Sequence, residues 1–214
     1  IKTGMLAFID ERFGDDPSRI QLVRCGHDPS LAGKSIKDLL VAAKQPLTQS
    51  ATADMVIALQ LKGGCSAIFH AYDEPDVERF LQSPFGMIGS DGSLPKPGDG
   101  SPHPRAFGTY PRVLGRYVRE RKVLTLEEAV RKMTSFPAAR LGLTTRGVLK
   151  VGLAADVTVF DPAGIADQAT FADPHHYSVG VRDVLVNGQL TVADGAHTGV
   201  HAGRVLRGPT AAPR

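Results

Sequence analysis

One stretch gathers the side chains best suited to chemistry. Gly86-Met87-Ile88-Gly89-Ser90-Asp91-Gly92 ends an apolar run in a cluster of small residues with a single carboxylate, and Pro102-His103-Pro104-Arg105 follows across a loop rich in Pro and Gly. In parallel α/β architecture the C-terminal end of a strand is where a side chain leaves the core and faces substrate. A carboxylate at such an exit can accept a proton and return it. Gly89 and Gly92 let the backbone turn sharply or let a ligand approach it. A strand that ends in a turn, capped by Asp91, satisfies the same pattern, because Asp-Gly is a common turn dipeptide. Spacing alone leaves both readings open. His70 and Tyr72 alternate just after the apolar run Cys65–Phe69, where loop residues of an α/β unit would face a pocket. Cys25-Gly-His27 has no second pair at zinc-finger spacing and reads as an ordinary turn.

The elements that must position these residues follow from periodicity and punctuation. Residues 1–33 mix short apolar runs, Met5 to Ile9 and Ile20 to Val23, with Gly, Asp and Pro, and read as loop plus one or two short strands. Ser35 with Asp38 forms a capping arrangement ahead of a helix whose apolar face is Ile36, Leu39, Leu40 and Ala43. A second helix is expected from about Ala51 to Lys62, stopped by Gly63-Gly64. Cys65 to Phe69 reads as a buried strand. Asp73 then caps a helix ending near Ser83-Pro84, and Phe85 to Ile88 reads as the next strand, an order that argues for a parallel βα unit. Pro111 is placed at the start of a helix with Val113, Leu114, Tyr117 and Val118 on one face, and Thr125-Leu-Glu-Glu128 opens another that closes before Pro137. Beyond Gly142, the segments 148–153, 156–160, 181–186 and 189–192 read as strands, with Asn187-Gly188 as a hairpin turn. The Pro/Ala-rich end from Pro209 reads as frayed.

The totals bound the function. The chain has 214 residues, 42% apolar and 22% charged, which describes a globular protein able to bury a substantial core. A net charge of +3 with scattered basic groups leaves no nucleic-acid footprint. Arg116, Arg119, Arg121 and Lys122 form the one dense basic group, read as a solvated helix face. No apolar run approaches the ~20 residues that cross a bilayer, and the start does not look like a signal peptide, so no membrane partner is expected. Cys25 and Cys65 belong to no CxxC pair. That points away from a disulfide framework or structural zinc and toward a reducing, cytoplasmic setting.

An ordered series of motifs carries a family resemblance. Met87–Gly92, Pro102–Arg105, Phe107–Tyr117, Lys132–Arg140, Arg146-Gly147, Gly152–Val157, Val159–Pro162, Val186–Gly188 and His201–Val205 together resemble the N-acyl-D-amino-acid deacylases, or D-aminoacylases, of the amidohydrolase superfamily. The likeness runs from about residue 65 to the end. It implies an α/β chain forming the C-terminal part of a metal-dependent (β/α)8 barrel, followed by a small β-rich domain, that hydrolyses the amide of N-acyl-D-amino acids. Residues 1–64 would be an inserted segment near the active site, 65–141 the last βα units of the barrel and 142–214 the β-rich module. In that family the aspartate after the last barrel strand approaches the zinc and handles the proton of the attacking water; Asp91 matches that position. A metal lowers the pKa of bound water toward about 7, and a nearby carboxylate can then move its proton to the leaving nitrogen. By the same resemblance Arg105 would pair with the substrate carboxylate or anchor its loop to a neighbouring carboxylate. His103 would bind substrate or act as a structural hydrogen-bond donor, and Tyr72 would line the acyl or side-chain pocket.

The departures from the pattern are equally informative. Such enzymes carry an early His-x-His pair, a bridging Cys or Glu and two later histidines, whereas this chain has no His-x-His. Zinc needs about three protein ligands even at an open catalytic site. The expectation is therefore a zinc enzyme whose metal-binding histidines lie on another polypeptide, the N-terminal part of the same enzyme, as a separate subunit, a cleaved precursor half or the missing part of a truncated form. Two alternatives remain: a related amidohydrolase acting on cyclic amides, of dihydroorotase or hydantoinase type, and a non-catalytic assembly subunit.

Overall fold

The computed structural model describes residues 1–206; the Pro/Ala-rich end from Pro209 lies outside them. The described chain divides into two compact units. The first contains residues 1–73, 93–106 and 170–175; the second contains 74–92, 107–169 and 176 onward.

The first unit opens on helix α1 (Lys2–Phe13), not on the loop or strand read from Met5 to Ile9. Its partner decides this: Lys2 bonds Asp54 at 2.7 Å, and Gln49 bonds Asp10 at 2.9 Å. Both contacts come from α3 (Gln49–Leu61). Strand β1 (Ile20–Cys25) follows, then α2 (Ile36–Ala42), and strand β2 (Cys65–Phe69) follows α3. The capping box read from Ser35 and Asp38 is formed in both directions, each side chain taking the other's backbone N–H. Ile20, Leu22, Cys25, Ile36, Leu40 and Leu59 make the core.

Strands β1 and β2 are antiparallel. A bulge adds Val23 between Leu22 and Arg24, so that Cys25 rather than Arg24 stands opposite Cys65. The two cysteines are joined in a disulfide with Cα atoms 4.3 Å apart. This overturns the reading of two isolated thiols, and with it the inference of a reducing compartment from cysteine usage. The bulged residue's carbonyl accepts from Ser101 N–H at 2.8 Å. Gly100 permits that approach, since a Cβ there would meet the Val23 oxygen at 2.7 Å.

The second unit begins with α4 (Glu74–Gln82). The segment from Phe85 to Ile88 forms no strand, which removes the parallel βα unit expected from it; Ile88 N–H donates instead to the Lys132 carbonyl at 3.0 Å. Backbone groups that find no neighbouring strand must be satisfied elsewhere. Helix α5 (Arg105–Arg112) begins six residues before Pro111 rather than at it, and continues into a π-helical segment, Val113–Glu120. Pro111 has no N–H for the carbonyl of Phe107, and Ser178 Oγ donates to that carbonyl at 2.8 Å. Val113, Leu114 and Tyr117 are buried with Ala129 and Ile165, as the periodicity predicted for the first three.

Arg116, Arg119 and Arg121 are engaged rather than merely solvated. Arg116 pairs with Glu74 at 3.2 Å, Arg119 donates to the Ile165 carbonyl at 2.6 Å, and Arg121 pairs with Glu78. Helix α6 (Leu126–Met133) is capped by Thr125, whose hydroxyl accepts from Glu128 N–H at 3.2 Å. It breaks at Thr134 and resumes as α7 (Ser135–Arg140), which contains Pro137.

The tail is an antiparallel sheet in the order β3 (Val157–Phe160), β4 (Val181–Val186), β5 (Gln189–Ala193) and β6 (Ala196–His197). Asn187 and Gly188 adopt φ of 49° and 80°, the left-handed pair that a tight hairpin demands. Residues 148–153 are not a strand. Arg146 just before them pairs with Asp156 and donates to Asn187 Oδ1 at 3.1 Å, while Asn187 N–H donates to Asp156 at 2.7 Å. Three of the motif residues are thus tied together as structure. Among the described residues no helix is long and apolar enough to cross a membrane.

Candidate active site

Asp91 lies exposed in the second unit, in a segment without secondary structure. Its neighbours hold the turn. Gly92 N–H donates to Ser90 Oγ at 3.0 Å, and Ser90 Oγ meets Thr109 Oγ1 of α5 at 3.1 Å. Helix α5 is itself secured at that level. Arg112 pairs with Asp167 at 2.9 Å, and a Cβ on Gly108 would come within 2.6 Å of the Asp167 Cβ, so only glycine admits this packing. Asp91 therefore lies in a short exposed turn, outside any helix or strand, that the Ser90 hydroxyl closes to Gly92 and ties to α5. Neither Ser90 nor Thr109 stood out as functional in the sequence, although each lies within a motif that carries the resemblance.

Tyr72, His103 and Arg105 belong to the first unit. His103 and Arg105 are brought together. Arg105 N–H donates to His103 Nδ1 at 3.0 Å at the start of α5, so the imidazole accepts at that nitrogen. The ring stands edge-on to Phe171, with centroids 4.9 Å apart. Tyr72 is 78% exposed.

His70 is a structural histidine. Gln21 Nε2 donates to the carbonyls of Phe171, at 2.8 Å, and Gly33, at 3.3 Å, which leaves its Oε1 to accept from His70 Nε2 at 3.2 Å. His70 also packs edge-on to Phe171, at 4.6 Å. His175 holds the same unit together: Nδ1 accepts from Gly98 N–H at 3.4 Å, and Nε2 lies 3.0 Å from the Gly100 carbonyl. The sequence placed His175 in the β tail; it belongs instead with the first unit.

Burial and the nearby Arg19 hold the His70 imidazole below its ordinary value of 6.5. The unfolded chain then takes up that proton before the folded one does. Stability is fully present above pH 6.5 and is lost as pH falls through the depressed folded value. Urea midpoints measured between about pH 8 and about pH 5 should fall less steeply for His70→Gln than for the unaltered protein; parallel curves would count against this account.

The metal implied by the resemblance does not fit these residues alone. Among the described residues no group of three or more His, Cys, Asp or Glu side chains is arranged to hold an ion, and both cysteines are spent in the disulfide. One carboxylate cannot hold zinc.

The Amidohydrolase family matches over residues 11–192. The chain belongs to that family. Among relatives of this amidohydrolase, the D-aminoacylase of Alcaligenes xylosoxydans xylosoxydans is 47% identical over 182 residues, covering 85% of this chain and 35% of that enzyme. A solved D-aminoacylase structure concerned with the functional role of its binuclear metal centre superposes with a TM-score of 0.77 at 38% identity, over 95% of this chain and 46% of that one. The N-acyl-D-glutamate deacylase from Bordetella bronchiseptica, complexed with zinc and a phosphonate inhibitor, gives 0.71 at 40% identity, over 86% of this chain and 37% of that one. The fold is therefore of amidohydrolase type, a mixed α/β chain with a small antiparallel sheet, and the chain spans less than half the length of these relatives.

Proposed function

We propose that this chain is part of a metal-dependent N-acyl-D-amino-acid deacylase, a hydrolase of linear amides. The observation that carries the reading is the pinned Ser90-Asp91-Gly92 turn, which presents an exposed carboxylate in a chain 47% identical to a D-aminoacylase. Water adds to the amide carbon, the C–N bond breaks, and the amine leaves with a proton. Asp91 accepts the proton that the water loses and delivers it to the leaving nitrogen.

Arg105 pairs with the substrate carboxylate, His103 fixes the start of the helix that carries Arg105 and borders substrate, and Tyr72 lines the acyl pocket. Tyr72 stands largely in solvent here, so the rest of that pocket comes from outside these 214 residues. The same holds for zinc: the ligands are histidines of the remainder of the enzyme, the chain's partner. In this reading residues 65–141 complete a (β/α)8 barrel, 1–64 are an insertion and 142–214 the β module. With Cys25 and Cys65 joined, a cytoplasmic setting is no part of the proposal.

Residues 1–214 expressed alone should bind no stoichiometric zinc and hydrolyse no N-acyl-D-amino acid. The complete enzyme should do both, and should prefer N-acyl-D-amino acids to cyclic amides. An isolated chain that holds zinc and turns over substrate would defeat this reading.

A further inference from the structure

We infer that Lys132 is the residue that positions Asp91; this rests on the deacylase reading of Asp91. Lys132 opens the Lys132–Arg140 motif and is 1% exposed. Burying an ammonium group costs several kcal/mol unless hydrogen bonds and opposite charge meet it. A Met or Leu would fill the same space without that cost, so the partners of the amine show what the lysine adds. Nζ donates to the carbonyls of Ser83 and, at 2.9 Å, Gly86, with the Glu128 carboxylate 3.8 Å away. The turn it grips is tight: Gly86 N–H donates to the Ser83 carbonyl at 3.1 Å, and a Cβ on Gly86 would sit 3.2 Å from the Phe80 oxygen. Two residues on, Ile88 N–H donates to the main-chain carbonyl of Lys132 itself.

One residue therefore holds the segment 83–88 at three points, two through its side chain and one through its backbone. Asp91 lies three residues beyond the last of them; Ser90 just before it meets Thr109, and Gly92 just after it donates to Ser90. The segment belongs to no strand among the described residues, so these bonds do the work that a sheet ladder does elsewhere. Displacing a reacting group by about 1 Å can cost about 100-fold in rate. Lys132 touches no reacting atom and acts through the backbone that leads to Asp91.

The test uses the complete enzyme. Lys132→Met keeps the length of the side chain and removes the donor, Lys132→Arg retains donors, and Ile165→Val, at a buried residue of the same unit, serves as a packing control. Lys132→Met should lower kcat by about 100-fold with KM little changed, because proton handling matters in the transition state. Lys132→Arg should recover part of the loss. Amide hydrogen exchange should quicken in residues 83–92 for Lys132→Met and not for Ile165→Val. In an Asp91→Asn background Lys132→Met should cost nothing further, since the group it positions is already disabled. If Lys132→Met does not fold, Lys132→Gln takes its place in each comparison. A folded variant with kcat within about threefold of the unaltered enzyme, a full additional loss on top of Asp91→Asn, or unchanged exchange in 83–92 would overturn the inference. Should Asp91→Asn itself remain fully active, the deacylase reading of Asp91 fails; should it be inactive while Lys132→Met is unimpaired, only the positioning role fails.

Discussion

Asp91→Asn should lower turnover of N-acyl-D-amino acids by about 10²- to 10⁴-fold, the range expected when a positioned acid–base group is removed. The substitution is nearly isosteric and the side chain is exposed, so no buried charge is lost and no cavity opens. The Ser90–Gly92 and Ser90–Thr109 bonds do not involve the carboxylate, and they should keep the turn in shape. Melting temperature and assembly with the remainder of the enzyme should accordingly match those of the unaltered protein. Measuring kcat, thermal unfolding and elution volume on the same preparation separates the alternatives. A chain serving only assembly would show all three unchanged; a purely structural Asp91 would lose stability along with activity.

The second large effect concerns the first unit. Cys25 and Cys65 are 40 residues apart in sequence, and closing a loop of that length removes unfolded-state entropy worth about 4 kcal/mol in the chain-entropy account. Cys25→Ser with Cys65→Ser, or treatment with a reductant that breaks the bond, should lower stability by up to that amount. Cys25 is fully buried in the core with Ile20, Leu22 and Leu40, so a serine hydroxyl in its place would add a desolvation cost. Cys25→Ala with Cys65→Ala isolates the loop-closure contribution. Denaturant midpoints with and without reductant provide the measurement, and the double-alanine variant should be insensitive to reductant. Identical midpoints for the oxidised and reduced protein would contradict the bridge. Such stabilisation persists where the surroundings are oxidising.

Local signals in the sequence were reliable where the physics is local. Ser35 and Asp38 sit three residues apart and complete each other's bonds, so their capping box was legible without any tertiary knowledge. Thr125 ahead of Glu128 was legible for the same reason, as was Asn187-Gly188, whose left-handed backbone is a property of two adjacent residues. The buried face of Val113, Leu114 and Tyr117 survived because a wide apolar stripe tolerates the change from α to π winding.

The errors fall where a partner distant in sequence decides the outcome. Met5 to Ile9 is helical, and the bonds flanking it, Lys2 to Asp54 and Gln49 to Asp10, reach α3, which no window of ten residues contains. Pro111 marks a helix start by its missing N–H, yet the helix runs through it because Ser178 supplies the lost bond. Phe85 to Ile88 has the composition of a strand, but its Ile88 N–H is taken by Lys132. Cys25 and Cys65 carry no spacing signal at all; their pairing depends on the register of two strands and on one bulged residue.

The stretch around Asp91 shows the division most plainly. Residue type and order alone showed that a single carboxylate ends an apolar run between two glycines, and that an ordered set of motifs resembles the D-aminoacylases. What packs around the Asp91 loop could not be read that way, because the hydrogen bonds that Thr109 makes to Ser90, and Lys132 to Ser83 and Gly86, come from elements that the chain reaches 18 and 41 residues after Asp91. Tertiary structure likewise decided that both cysteines are withdrawn from any metal, since backbone register, not spacing, puts the two sulfurs within bonding distance.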